Sequence, residues 1–168
     1  MKFNNDDLLD DVNLKIIDAL SKDSSMPFVE IAKQIGISDA TVRLRVRKLK
    51  DNGVINKFTL SLDNDLLGYD HLSFIGINIR PGLADRITEE LSTIEEVLEV
   101  HEMHGKYDLF VKVRAKDLNH TRDIIENKIP ILSNIVDTQL MTVLKTSKEE
   151  QMASFNNHVA ENDIKNRY

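Results

Sequence analysis

The chain holds 168 residues, 41% of them hydrophobic, with no cysteine and with 28 acidic side chains against 22 basic ones for a net charge of −6. That composition suits one large domain or two small ones with their own cores, and it excludes a disulfide framework or a thiolate zinc site, as fits a reducing compartment. The opening MKFNNDDLLDDVN is acidic where a secretory signal needs a basic start, and no apolar run approaches the roughly 20 residues of a membrane span, so a cytoplasmic protein that touches no membrane is expected.

Up to about Gly53 the apolar residues recur at helical spacing: Leu9, Val12, Ile16 and Leu20, then Phe28, Ile31, Ala32 and Ile35, then Val42, Val46 and Leu49. Three short helices are predicted. Asp10 is the N-cap of the first, Pro27 falls in the first turn of the second, Gly36 stops it, and Ser38 caps the third. INKFTLSLD then alternates Phe58, Leu60 and Leu62 with Lys57, Thr59 and Ser61, the pattern of a half-buried strand. DNDLLGYD, 63–70, is a connector.

From His71 the order strand, helix, strand occurs twice. HLSFIGINIR, a helix around LADRITEELSTI, and VLEVHEM form one unit; YDLFVKVRA, the helix DLNHTRDIIENKI and NIVDTQLMTVLK form the other. This is the ferredoxin-like βαββαβ arrangement, which makes the whole an α+β protein. Ser73, Ile75, Ile77 and Ile79 share one face of the first strand and Leu72 and Phe74 the other. Two helices cover one face of four strands, so the other face is expected to be apolar and to meet a second copy of the chain. Residues 146–168 lose the periodicity and read as a polar extension.

Charge is distributed unevenly over this plan. Between Ser38 and Lys50 stand Arg43, Arg45, Arg47, Lys48 and Lys50 with Asp39 as the single acid, a net +4 that leaves the rest of the chain at −10. Ala32, Gly36 and Val42 sit where a helix-turn-helix needs a small residue at the crossing, a left-handed turn and a buried plug. If Val42, Val46 and Leu49 face inward, Ala40, Thr41, Arg43, Leu44, Arg47 and Lys48 face out, beyond the cap at Ser38. A basic helix face is often no more than a solvated surface. Its coincidence with the turn spacing and with an otherwise anionic chain points instead to double-stranded DNA, the helix lying in the major groove.

LDDVNLKIIDAL, VEIAKQIGISDATVRLRVRKLKDNGVI, GYDHLSFIGINIRPG, GKYDLFVKV and NIVDTQLMTVL together resemble successive landmarks of the leucine-responsive/asparagine-activator (Lrp/AsnC) transcription regulators, from about Leu9 to Lys145. The resemblance implies a helix-turn-helix DNA-binding domain at 1–54, a hinge strand and linker at 55–70, and a ferredoxin-like effector-binding and oligomerisation domain at 71–145, with 146–168 as an extension. It implies sequence-specific binding by a homodimer that often assembles further, commonly into octamers, under control of a small effector such as an amino acid. The effector site it implies lies at the loop joining the second and third strands of the regulatory domain, here His104, Gly105, Lys106, Tyr107 and Asp108, with Thr138 and Leu140 on the last strand. Gly105 lets backbone N–H groups approach a carboxylate and Asp108 can accept from an ammonium, although a plain hairpin turn uses the same residue types. His104 and Leu140 stand where the family often has hydroxyl residues, which implies a narrower, less polar pocket. Asn13 stands where it usually has an acid, a change expected to alter only helix capping.

No cofactor, metal or catalytic group is expected. His101 and His104 lack the third and fourth ligands of a metal sphere, Glu95, Glu96 and Glu99 read as solvated surface, and GINIRPG has the wrong spacing for a dinucleotide fingerprint. The alternative of a different class is an enzyme similar to the siroheme decarboxylases, with His101, His104 and Arg114 handling a tetrapyrrole carboxylate. Such an enzyme has little use for the basic helix.

Overall fold

Helix α1 (Asp11–Lys22) begins at Asp10, whose carboxylate accepts the Asn13 N–H at 2.7 Å. Helix α2 (Phe28–Ile35) has Pro27 at its N-cap, just ahead of its first turn, and ends at Gly36, left-handed with φ of 80°. Helix α3 (Asp39–Asp51) starts at Ser38, whose hydroxyl accepts the Thr41 N–H at 3.1 Å. A computed structural model supplies these coordinates and describes residues 8–129 and 134–150. They fall into two units, one running to Ser61 and one spanning Leu62–Glu149.

The three helices of the first unit close on Ile16, Ala19 and Leu20 from α1, Ile31 and Ala32 from α2, and Val42 and Val46 from α3. Ala32 at the crossing and Gly36 in the turn do what the sequence asks of them. The half-buried strand expected from INKFTLSLD is absent. Residues 55–63 enter no ladder, and Phe58, Leu60 and Leu62 are 42%, 77% and 58% exposed. Alternation marks a segment suited to pairing, but a strand exists only through a neighbour's hydrogen bonds, and none of the described residues supplies them.

In the second unit, β1 (His71–Ile79), β2 (Val97–Glu102), β3 (Leu109–Ala115) and β4 (Ile135–Thr142) form one antiparallel sheet in the order β2-β3-β1-β4. Helix α4 (Ala84–Leu91) joins β1 to β2, and α5 (Leu118–Asp123) joins β3 to β4. Ile75, Ile77 and Ile79 meet Leu109, Val111 and Val113 from β3 and Ile87, Leu91, Ile124 and Ile129 from the helical side. The single helix expected over 117–129 is α-helical only to Asp123 and continues as a π turn, Ile124–Lys128, closed by the Ile129 N–H on the Ile124 carbonyl at 2.9 Å. Ile124 and Ile129 are both fully buried. Five residues apart on an α-helix they would point about 140° away from each other; the wider turn brings both inward.

The other face of the sheet is not the apolar surface expected. Phe74 stacks on Phe110 with ring centroids 5.3 Å apart, but Glu99 and His101 from β2 and Lys112 and Arg114 from β3 share that face. Lys112 is nearly buried there, held by Glu99 at 3.1 Å and by Glu149. Alternation along YDLFVKVRA shows which residues share a face, but the charges that face carries come from three separate segments. The extension lies outside the described residues from 151 onward.

Candidate functional site

The exposed face of α3 is built from its buried one. Val42, Val46 and Leu49 are buried to within 4%, and this fixes the helix rotation so that Ala40, Arg43, Leu44, Arg47 and Lys48 are exposed and Thr41 is half-exposed. Ser38 and Thr41 bond to each other through their hydroxyls at 2.7 Å, so this pair is engaged in capping the helix.

The five cations are not equivalent. Arg45 is half-buried and donates to Asp10 at 2.6 Å and to the Asn13 side-chain oxygen at 3.1 Å, tying α3 to the start of α1. Asn13 is itself buried and donates to the Leu8 carbonyl, so its role extends beyond the capping effect expected of it. Partial burial pushes the Asp10 carboxyl up, but the Arg45 guanidinium and the Asn13 N–H outweigh this and hold it below its ordinary value. Arg43 is drawn back along the helix by Asp39 at 3.0 Å and lies over the Phe28 ring at 5.5 Å. Lys50 lies over Phe58 at 5.6 Å. Arg47 holds no hydrogen bond, ion pair or ring contact among the described residues. The structural part played by Arg45 was open to detection: it sits between Val42 and Val46 on the edge of the buried stripe, where an isolated charge needs a partner.

The β2–β3 hairpin gathers only part of the second candidate set. His104 and Gly105 are exposed at its tip. Asp108 is engaged: its Oδ2 accepts the Ile79 N–H at 2.8 Å, and its own N–H donates to the Ile77 carbonyl. The Tyr107 ring lies over Gly76 on the open face, and its hydroxyl donates to Gln139 Oε1, as does Lys106 at 2.8 Å. Thr138 and Leu140 pair with Ile77 and Ile75, which puts them on the helix-covered face, where Leu140 packs against the core. The sheet therefore separates them from Tyr107. Gln139, between them in sequence and opposite Gly76 in register, meets the hairpin instead; the alternation of faces along β4 is the signal in the sequence that separates it from Thr138 and Leu140.

His101 pairs with Glu99 at 3.0 Å. Arg114 lines a different feature, a polar cleft of about 440 Å³ that includes Asp63, Asp70, Lys145 and Glu149 but neither His101 nor His104. Among the described residues no group of three or more His, Cys, Asp or Glu side chains is arranged to hold a metal ion.

Two family profiles match this architecture unit by unit: the AsnC-type helix-turn-helix domain over residues 9–50 and the Lrp/AsnC ligand binding domain over residues 72–153. The chain belongs to the Lrp/AsnC family of transcription regulators. It is 40% identical over 144 residues to the HTH-type transcriptional regulator FL11 of Pyrococcus horikoshii, covering 84% of this chain and 93% of that one. It is 30% identical over 134 residues to the regulatory protein AsnC of Haemophilus influenzae, covering 79% and 89%. Among solved structures it is similar to AsnC of E. coli, with a TM-score of 0.79 and 28% identity over 86% of this chain and 97% of that one. Like that structure, this Lrp/AsnC chain joins a helix-turn-helix unit to a four-stranded antiparallel sheet with helices. No helix among its described residues is long and apolar enough to cross a membrane.

Proposed function

We propose that this Lrp/AsnC regulator reads duplex DNA through the outer face of α3, with Ala40, Thr41 and Leu44 against base edges and Arg47 and Lys48 reaching bases or phosphates. Ser38 fixes the N-terminal end of that face, and Arg43 exchanges Asp39 for phosphate on contact. One observation carries the reading: an anionic chain places five cations on a helix whose opposite face is buried, and leaves Arg47 there without a partner among the described residues. The protein acts as a homodimer in the cytoplasm, without catalysis, presenting two copies of α3 to successive major grooves about one helical turn apart, and its dimers assemble further. Residues 1–54 form the DNA-binding part, 55–70 the hinge and 71–145 the regulatory part.

The second half of the proposal is an effector site at the β2–β3 hairpin. His104, Gly105, Tyr107 and Asp108 are its core, and Thr138 and Leu140 act from behind the sheet by setting the position of β4. The match of this unit to a ligand-binding domain supports an effector, and an amino acid suits one remaining carboxylate oxygen of Asp108 beside exposed backbone at Gly105. Titrating labelled random-sequence and selected duplexes with the full chain at several salt concentrations tests the DNA reading. Specific binding whose affinity falls steeply with salt is expected; a folded protein that ignores duplex DNA even at low salt rejects it.

A further inference from the structure

We propose that Leu44 makes this protein select thymine at one position of each half-site, by packing against the thymine methyl group. The inference rests on the reading that α3 enters the major groove, and adds the base that its central side chain reads. Leu44 is 67% exposed on a helix whose other large apolar residues, Val42, Val46 and Leu49, are buried. It stands one turn after Ala40, which is also exposed, and one turn before Arg47 and Lys48, so the outer row runs from a small apolar residue through a large one to two cations. Arg43, beside it, is occupied by Asp39 and Phe28. The middle of the face is thus an apolar projection.

The major groove offers such a projection one apolar partner, the C5-methyl of thymine. Against a guanine or cytosine edge the leucine would strip water from donors and acceptors while giving them nothing in return, so the same side chain that favours thymine disfavours G·C pairs. The phosphates next to that base are then the natural partners of the cations one turn further on.

The test uses the full chain. Duplexes are selected from a random library with the unaltered protein, and each thymine of the selected site is then replaced singly by deoxyuridine, which removes only the methyl group. The expected result is one thymine per half-site whose replacement weakens binding about fourfold, the effect of one buried methyl-sized group. With Leu44→Ala, that position becomes indifferent to the methyl while the salt dependence of binding is kept; Leu44→Met, which retains apolar reach, restores part of the preference. The exposed position lets both variants fold, and circular dichroism checks it. Methyl-insensitive binding by the unaltered protein overturns the proposal, as does a thymine preference that Leu44→Ala leaves intact. Failure of the unaltered protein to select any duplex is a separate outcome, which removes the groove reading together with the inference built on it.

Discussion

Arg45 and Asp10 bridge 35 residues of sequence with a 2.6 Å ion pair, and through it the third helix is locked to the N-cap of the first. The most basic segment of the chain thus contains one arginine that works for the fold. Arg45→Ala is expected to lower the stability of the helical unit by about 1 kcal/mol, the usual worth of a charge-assisted bond reduced because both partners are partly exposed. Chemical denaturation followed by helical signal measures it. A double-mutant cycle with Asp10→Ala should show coupling, since either change removes the same bond; additive losses would contradict the bridge.

Acid should weaken both units, for carboxylates in each. Burial raises the carboxyl of Glu96, but Lys128 at 2.6 Å and His120 at 3.1 Å overcome this and hold it below its ordinary 4.5; Asp10 is likewise held below 3.8. A folded-state value that is depressed gives stability present above the unfolded value and lost as pH falls through the folded one. Stability should therefore be flat down to about pH 5 and decline below it. Glu96→Gln should flatten part of that decline for the sheet unit and Asp10→Asn part for the helical unit. Unchanged slopes in both variants would show that other groups drive the acid transition.

The cations of α3 should separate into two classes when DNA binding is measured at fixed salt. Arg47 has no partner among the described residues, and Arg47→Ala should cost about 1 to 3 kcal/mol of affinity if it pairs with a base. Arg43→Ala should cost less, because contact with DNA must first draw the guanidinium from Asp39 and Phe28. Equal losses at the two positions would mean that the pairing with Asp39 does not persist in solution.

Local patterns were legible where the determinant was local. Caps at Asp10 and Ser38, the left-handed Gly36 and the buried stripe of Val42, Val46 and Leu49 depend on neighbours within a turn or two, and the sequence shows them directly. What was hidden depends on distant partners. Phe58, Leu60 and Leu62 alternate as a strand does, but none of the described residues pairs with them. Lys112 looks like an ordinary strand lysine until Glu149 arrives from beyond β4. Thr138 and Leu140 were grouped with the hairpin by resemblance, while strand register turns them to the other side of the sheet.

Asp108 has two possible duties, and one substitution separates them. Its Oδ2 accepts the Ile79 N–H at 2.8 Å where β1 bends away from its regular pairing with β4. Asp108→Ala leaves that part-buried N–H without its acceptor and should lower stability by about 1 to 3 kcal/mol. Asp108→Asn keeps a carbonyl for the N–H but removes the negative charge. It should stay close to the unaltered protein in thermal denaturation while losing any change in DNA binding caused by an amino-acid effector with a free ammonium. An Asn variant that responds normally would remove Asp108 as the ammonium partner.

Gly76 and Tyr107 make a second, purely steric test of the hairpin. A Cβ added at Gly76 would lie 2.6 to 2.7 Å from three carbons of the Tyr107 ring, well inside contact distance and near the ring's attachment, where the side chain has little room to swing. The ring is also held from its far end, since its hydroxyl donates to Gln139. Gly76→Ala should therefore displace the hairpin from the centre of the sheet and cost about 1 to 3 kcal/mol, the range for overpacking a filled site. The cost should fall in the background of Tyr107→Ala, because the obstructing atoms are gone, and the order of stability of the four proteins reads out the contact. If Gly76→Ala is equally costly with and without the ring, the penalty comes from the backbone of β1 and the packing of Tyr107 on that strand is refuted.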